Sequence, residues 1–171
     1  AATYTYTYDG LGRLERVTLA AAASLPQFDL EYTTDLAGRI AATTLKAGGS
    51  VLFTNTYVYN DTGDYRLGRI AQSGPAVAPK RVDFSYTPGA YQLIGVARFA
   101  DLGGTQPVAV TMVGYDARNL VSSVRHTTAA GAVLNDFVLT YDAVRRVAAI
   151  RSAVDGSADC VYAAGNALTG V

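Results

Sequence analysis

"TYTYTYDGLGRLERV" runs from Thr3 to Val17, and the way it is read decides the fold. Thr and Tyr alternate up to Tyr8, Asp9-Gly10 opens a reversal, and a second extended stretch follows Gly12. Successive side chains of a strand point to opposite faces, so Tyr4, Tyr6 and Tyr8 belong to one surface. Asp at the first place of a turn, with Gly three residues on, signals a type I turn followed by a residue in the left-handed region. The carboxylate of such an Asp accepts from backbone amides just ahead of it. The stretch therefore predicts a β-hairpin with a tyrosine face.

The same move recurs along the chain. The pattern Tyr-Asp-x-x-Gly-Arg-Leu-x-x-Val of Tyr8 to Val17 returns from Thr34, with Asp35 and Gly38 in place and Thr for Tyr. It returns from Tyr115, with Asp116 and with Asn119 at the Gly place, and from Tyr141, with Asp142. It returns once more from Tyr162, with Asn166 at the Gly place. Copies from Tyr59 and Tyr86 carry longer turns, holding Asn60 and Gly63 in one and the type II pair Pro88-Gly89 in the other. Asn is one of the few residues besides Gly that tolerates the left-handed region, so Asn119 and Asn166 keep the rule. Arg145 at the Gly place breaks it, and that copy is expected to be strained or to use a different turn.

Before each anchor the chain alternates. Tyr4, Tyr6, Tyr8, Tyr32, Tyr57, Tyr59, Tyr86, Tyr115, Tyr141 and Tyr162 form one face in this reading, with Thr frequent on the other. Small-residue connectors such as "KAGGS" and "TAAGA" join one hairpin to the next. The expected fold is all-β: about seven hairpins as an antiparallel repeat array, a single repeat domain over 1–171, in one continuous meander of about fourteen strands. "AVRRVAAIRSAV" (Ala143 to Val154) has apolar residues at helix-like spacing, but its register in the repeat argues for strand. The chain opens on a strand and closes on the last place of a hairpin, which reads as a segment of a longer array or one unit of a polymer.

Composition narrows the function. With 14 basic and 14 acidic residues, no positive surplus favours nucleic acid or anionic lipid. The N-terminus shows no basic region followed by an apolar stretch, and no apolar run reaches membrane-spanning length, so no membrane insertion is expected. One Cys and one His exclude a soft-ligand metal site within the chain. His126 reads as a hydrogen-bonded strand residue, and Cys160 as a small strand residue on the side of Tyr162. The recurrence of Asp9, Asp35, Asp116 and Asp142 at one turn place indicates turn formation rather than paired acid–base chemistry. Arg13, Arg39, Arg69 and Arg146 follow the turns and are placed to pair with the Asp of the same or the next hairpin.

At these motifs the sequence resembles the YD-repeat, or Rhs-repeat, family, whose diagnostic unit is Tyr-Asp-x-x-Gly-Arg-Leu. The resemblance covers nearly the whole chain. It implies hairpins winding as a spiralling sheet around a hollow interior, as in the shell-forming components of insecticidal toxin complexes, polymorphic toxins and teneurins. It also implies an extracellular or cell-surface setting. The chain has no Asp-Pro, the core of the self-cleavage motif in toxin-releasing members. The expectation is a non-enzymatic wall of a hollow shell or of an extracellular fibre, without cofactor. Its partners would be further repeats of the same chain, or identical subunits, met through open strand edges. The alternative is a carbohydrate-binding module that stacks sugars on exposed Tyr rows.

Overall fold

The computed structural model describes residues 3–22, 24–60 and 65–171. Among them are fifteen β-strands and no helix. Thirteen strands hydrogen-bond in sequence order in one sheet, and the last two form a separate pair. Val147–Ser152, inside the stretch with helix-like spacing, is a strand.

The chain divides into two compact units, one of Ala1–Asp83 with Phe99–Gln106, the other of Phe84–Arg98 with Pro107–Val171. The first holds β1 (Tyr4–Tyr8), β2 (Leu14–Leu19), β3 (Phe28–Thr34), β4 (Ile40–Ala47), β5 (Ser50–Tyr59), β6 (Leu67–Ser73) and the start of β7 (Lys80–Tyr86). Its pairings put Tyr6, Val17, Leu30, Leu45 and Phe53 opposite one another in a row across five strands. Tyr57, Ile70 and Val82 form a second row on the same face. The reverse face is polar: Glu31 pairs with Arg16 at 3.0 Å and Lys46 at 2.7 Å, and Thr18 donates to Asp29 at 2.6 Å.

The second unit holds most of β8 (Leu93–Phe99), then β9 (Pro107–Tyr115), β10 (Val121–Thr128), β11 (Val133–Tyr141), β12 (Val147–Ser152), β13 (Gly156–Asp159), β14 (Val161–Tyr162) and β15 (Leu168–Gly170). Val113, Val124 and Phe137 make one apolar row, and Leu139, Ile150 and Ala158 another. Cross-strand pairs of this kind contribute roughly 0.2–1 kcal/mol each.

A bulge beside the turn explains the three-residue gap in the motif's Leu-x-x-Val. Tyr6 faces Val17 while Tyr8 faces Leu14, so two steps on β1 match three on β2. The extra residue keeps both Leu14 and Val17 on the tyrosine face, which a regular strand could not do. Val58/Tyr59 and Thr140/Tyr141 repeat the shift, which keeps Leu67 with Ile70 and Val147 with Ile150.

Neither face is sealed. Among the described residues only two hydrophobic side chains are buried, Val96 at 9 % and Ala149 at 7 % exposure. The fold rests on ladder hydrogen bonds, cross-strand pairs and the turns rather than on a closed core.

Candidate functional site

The repeated feature of the molecule is the turn, and its geometry follows from the motif. Gly12 N donates to Asp9 O at 2.9 Å, and Asp9 N donates to Arg13 O at 2.8 Å. Gly12 has φ 75, so a type I turn is followed by a left-handed residue. Asp9 Oδ1 accepts from the amides of Leu11 and Arg13, and Oδ2 from Arg13 Nε at 2.7 Å. Asp35 repeats all of this with Ala37 and Arg39, and Asp142 with Val144 and Arg146. One carboxylate thus satisfies two backbone donors and orients one guanidinium.

The substituted copies keep the same backbone. Asn119 (φ 63) and Asn166 (φ 64) occupy the left-handed place, as the sequence requires. Gly89 has φ 69 and Ala90 N donates to Thr87 O, the type II arrangement read from Pro88-Gly89. Arg145 has φ 68 and donates its amide to Asp142 O at 3.1 Å, so this copy uses the common turn and carries the strain itself. Non-glycine residues are disfavoured there by roughly 1–2 kcal/mol. Arg145→Gly should therefore raise stability by about 0.5–1 kcal/mol after the entropy of an added Gly is set against the relief; a chemical-denaturation midpoint checks it. Asn60 closes the longer turn by donating N to Arg66 O at 2.8 Å, and Gly63 lies outside the described residues. Tyr65, with φ 52, directly precedes Arg66 as Gly12 precedes Arg13. A bulky residue at the left-handed place gave no signal in the sequence.

Successive hairpins are clamped together at these turns. The Tyr141 hydroxyl donates to Val121 O at 2.7 Å, Tyr115 to Leu93 O at 2.9 Å, and Tyr162 to Val147 O at 2.9 Å. In the first unit Tyr59 donates to Ile40 O at 3.0 Å. In the copies with the short Asp turn the acceptor lies two residues beyond the left-handed one, Ile40 beyond Gly38, Val121 beyond Asn119 and Val147 beyond Arg145. The guanidinium of one turn also covers the anchor ring of the next: Arg39 lies 4.2 Å from the Tyr59 ring centre and Arg146 4.4 Å from that of Tyr162. In the hairpin with Leu120 at the Arg place, Arg118 substitutes, salt-bridged to Asp116 at 3.1 Å and 6.0 Å from the Tyr141 ring centre. Arg69 differs from Arg13, Arg39 and Arg146: it stands within β6, three residues past Arg66, and pairs with Asp83 of β7 at 2.9 Å. The sequence signal for this clamp is an Arg after one turn and a Tyr before the next, one hairpin apart.

Of the tyrosine face, Tyr59, Tyr115, Tyr141 and Tyr162 are thus committed to neighbours, and the Tyr57 hydroxyl lies 3.3 Å from Thr43 Oγ1. Tyr32 and Tyr86 are half-buried, whereas Tyr4, Tyr6 and Tyr8 are 54–60 % exposed.

The turn carboxylates are held below their ordinary 3.8, and hydrogen bonds are the main cause. For Asp9, Asp116 and Asp142 the leading donor is the backbone amide of Arg13, Leu120 and Arg146; for Asp35 it is the Arg39 side chain. A folded-state pKa below the unfolded one stabilises the fold above the unfolded value, and that share is lost as pH falls through the folded value. The denaturation midpoint should hold level from neutral pH to about pH 5 and drop below about pH 4. Asp-to-Asn changes at 9, 35, 116 and 142 together should lower the neutral-pH midpoint and flatten the acid limb.

Chemistry beyond structure finds little to build on. His126 Nδ1 lies 2.9 Å from Thr111 Oγ1, which accepts from Arg98 Nη1 at 2.8 Å, a strand-to-strand hydrogen-bond row. Cys160 is half-buried in the break between β13 and β14, its amide donating to Ala148 O. No group of three His, Cys, Asp or Glu among the described residues is arranged to hold a metal ion.

Comparison with known proteins bears on the fold. No protein-family model and no curated protein matches the sequence. Solved structures do. The crystal structure of TcdB2-TccC3-Cdc42 superposes with a TM-score of 0.76 at 17% identity over 98% of this chain. TcdB2-TccC3-TEV gives 0.74 at 19% over 98%, and the Photorhabdus luminescens Tc holotoxin pore 0.73 at 17% over 97%. This chain spans 9% of the length of each of those three. A porin-like protein from Bacteroides uniformis matches less closely, with a TM-score of 0.50 at 13% identity, over 98% of this chain and 79% of that one. The hairpin array read from the YD motif is thus the fold of a stretch of Tc toxin components.

Proposed function

We propose that this chain is non-enzymatic wall material: a run of clamped hairpins in a large hollow extracellular assembly, either a shell or a fibre. The observation that carries the reading is the clamp between turns, in which the anchor tyrosine of one hairpin is held by the backbone and guanidinium of the one before. The motif's charged residues are engaged at the turns, Asp9 with Arg13, Asp35 with Arg39, Asp116 with Arg118 and Asp142 with Arg146. Similarity to Tc toxin components at TM-scores of 0.73–0.76, against 0.50 for the porin-like protein, supports a wall over a membrane barrel. Both faces of the sheet stay half-exposed, as suits a partition that meets other surfaces. The partners are further repeats or other subunits meeting the sheet edges, and no cofactor is involved. Negative-stain microscopy and sedimentation of the purified chain test the reading. Concentration-dependent sheets, tubes or particles are expected; a strictly monomeric species at millimolar concentration would overturn it.

A second reading keeps carbohydrate binding, and the exposure of Tyr4, Tyr6 and Tyr8 on one face favours it. Glycan-array binding that vanishes in a folded Tyr4→Ala/Tyr6→Ala variant would move the assignment to a sugar-binding module.

A further inference from the structure

The joint between hairpins is specific enough to say which hairpin fits the exposed side of β1. Each clamp described above has an anchor Tyr hydroxyl on one side and, on the other, a backbone carbonyl just past the preceding turn. In three of them an Arg from that preceding turn lies over the ring. Tyr8 is an anchor of the same kind, next to the same Asp turn, and its ring is 60 % exposed. β1 stands at the end of the strand order, hydrogen-bonded to β2 on one side. In the separate pair of β14 and β15, the turn after Tyr162 has the same backbone, with Asn166 N donating to Ala163 O and Ala163 N to Ala167 O. There Ala163 stands at the Asp place and Ala167 at the Arg place, both exposed. The carbonyl of Leu168, two residues past Asn166, is the counterpart of Ile40 and Val147.

We infer that the exposed side of β1 docks a β-hairpin whose turn carries Arg directly after its left-handed residue. Tyr8 donates to the carbonyl that follows that Arg and lies under its guanidinium, whichever chain supplies the hairpin. This rests on the reading of the protein as wall material and adds a code to it. The same code makes the Tyr162–Gly170 hairpin of a second copy a poor partner, because Ala163 and Ala167 can neither orient nor supply a guanidinium.

The test installs the missing pair. Sedimentation velocity compares the wild-type protein with Ala163→Asp/Ala167→Arg, and with the same variant carrying Tyr8→Ala. The restored hydrogen bond and cation–π contact should tighten self-association about tenfold, and Tyr8→Ala should abolish the gain. Ala167→Arg alone, at an exposed position, serves if the double variant fails to fold, and should give a smaller gain of the same kind. Equal association of wild type and variants overturns the code while leaving the wall reading intact, as does a gain that survives Tyr8→Ala. No association by any of them at any concentration overturns both.

Discussion

Gly74→Ala should destabilise the protein by about 3 kcal/mol, near the upper end for overpacking a close contact. Gly74 follows β6 with φ 156, and an ideal Cβ there would sit 2.5 Å from Leu52 O and 2.5 Å from Phe53 Cα. Both are backbone atoms of the neighbouring strand, so no rotamer change can make room. The approach is close because Ala76 N reaches back to the same Leu52 carbonyl at 3.1 Å. In a chain of this size the loss corresponds to a fall in melting temperature of about 9 °C. Gly114 is the control: a Cβ there would meet Ser123 Oγ at 2.4 Å, the tip of a side chain that can rotate away. Gly114→Ala should cost under about 1 kcal/mol, and thermal melts of the two variants side by side decide the matter.

A second large effect should come from deleting three hydroxyls. Tyr59→Phe, Tyr115→Phe and Tyr141→Phe keep every ring and remove only the donors to Ile40, Leu93 and Val121. A hydrogen bond of this kind contributes about 1 kcal/mol net, so the triple variant should lose about 3 kcal/mol. Tyr4→Phe, on the same face and exposed, is the matched change outside the clamp and should be close to neutral. If the three losses together match Tyr4→Phe, the clamp is decoration and the strand ladder alone sets stability.

The hairpins were legible in the sequence because their signals are local. Alternation gives the strand, Asp gives the turn's first place, and Gly or Asn gives its left-handed residue, all within about ten positions. Arg145 and Tyr65 were opaque for the opposite reason. Bulky residues at positive φ are tolerated only where surrounding pairing forces them, and that pairing lies on other strands. The bulge was recorded in the Leu-x-x-Val spacing but could not be interpreted without a partner strand to count against. The clamp needed the pitch from one hairpin to the next, which drifts with connector length. Arg118 taking over from Leu120, and Arg69 turning to Asp83, could be seen only once neighbouring strands were in place. Alternation puts Tyr4, Tyr6 and Tyr8 on one face, but nothing local tells them apart from tyrosines already engaged.

The scarcity of sealed side chains has a calorimetric consequence. The heat-capacity increment of unfolding follows the apolar area newly exposed to water. A ribbon that already shows both faces to solvent has little more to expose, so its increment per residue should fall below that of an ordinary globule. Its free-energy curve against temperature should then be a shallow arc rather than a steep dome. A protein built this way changes its strength little as temperature varies, and owes that evenness to having so little to hide.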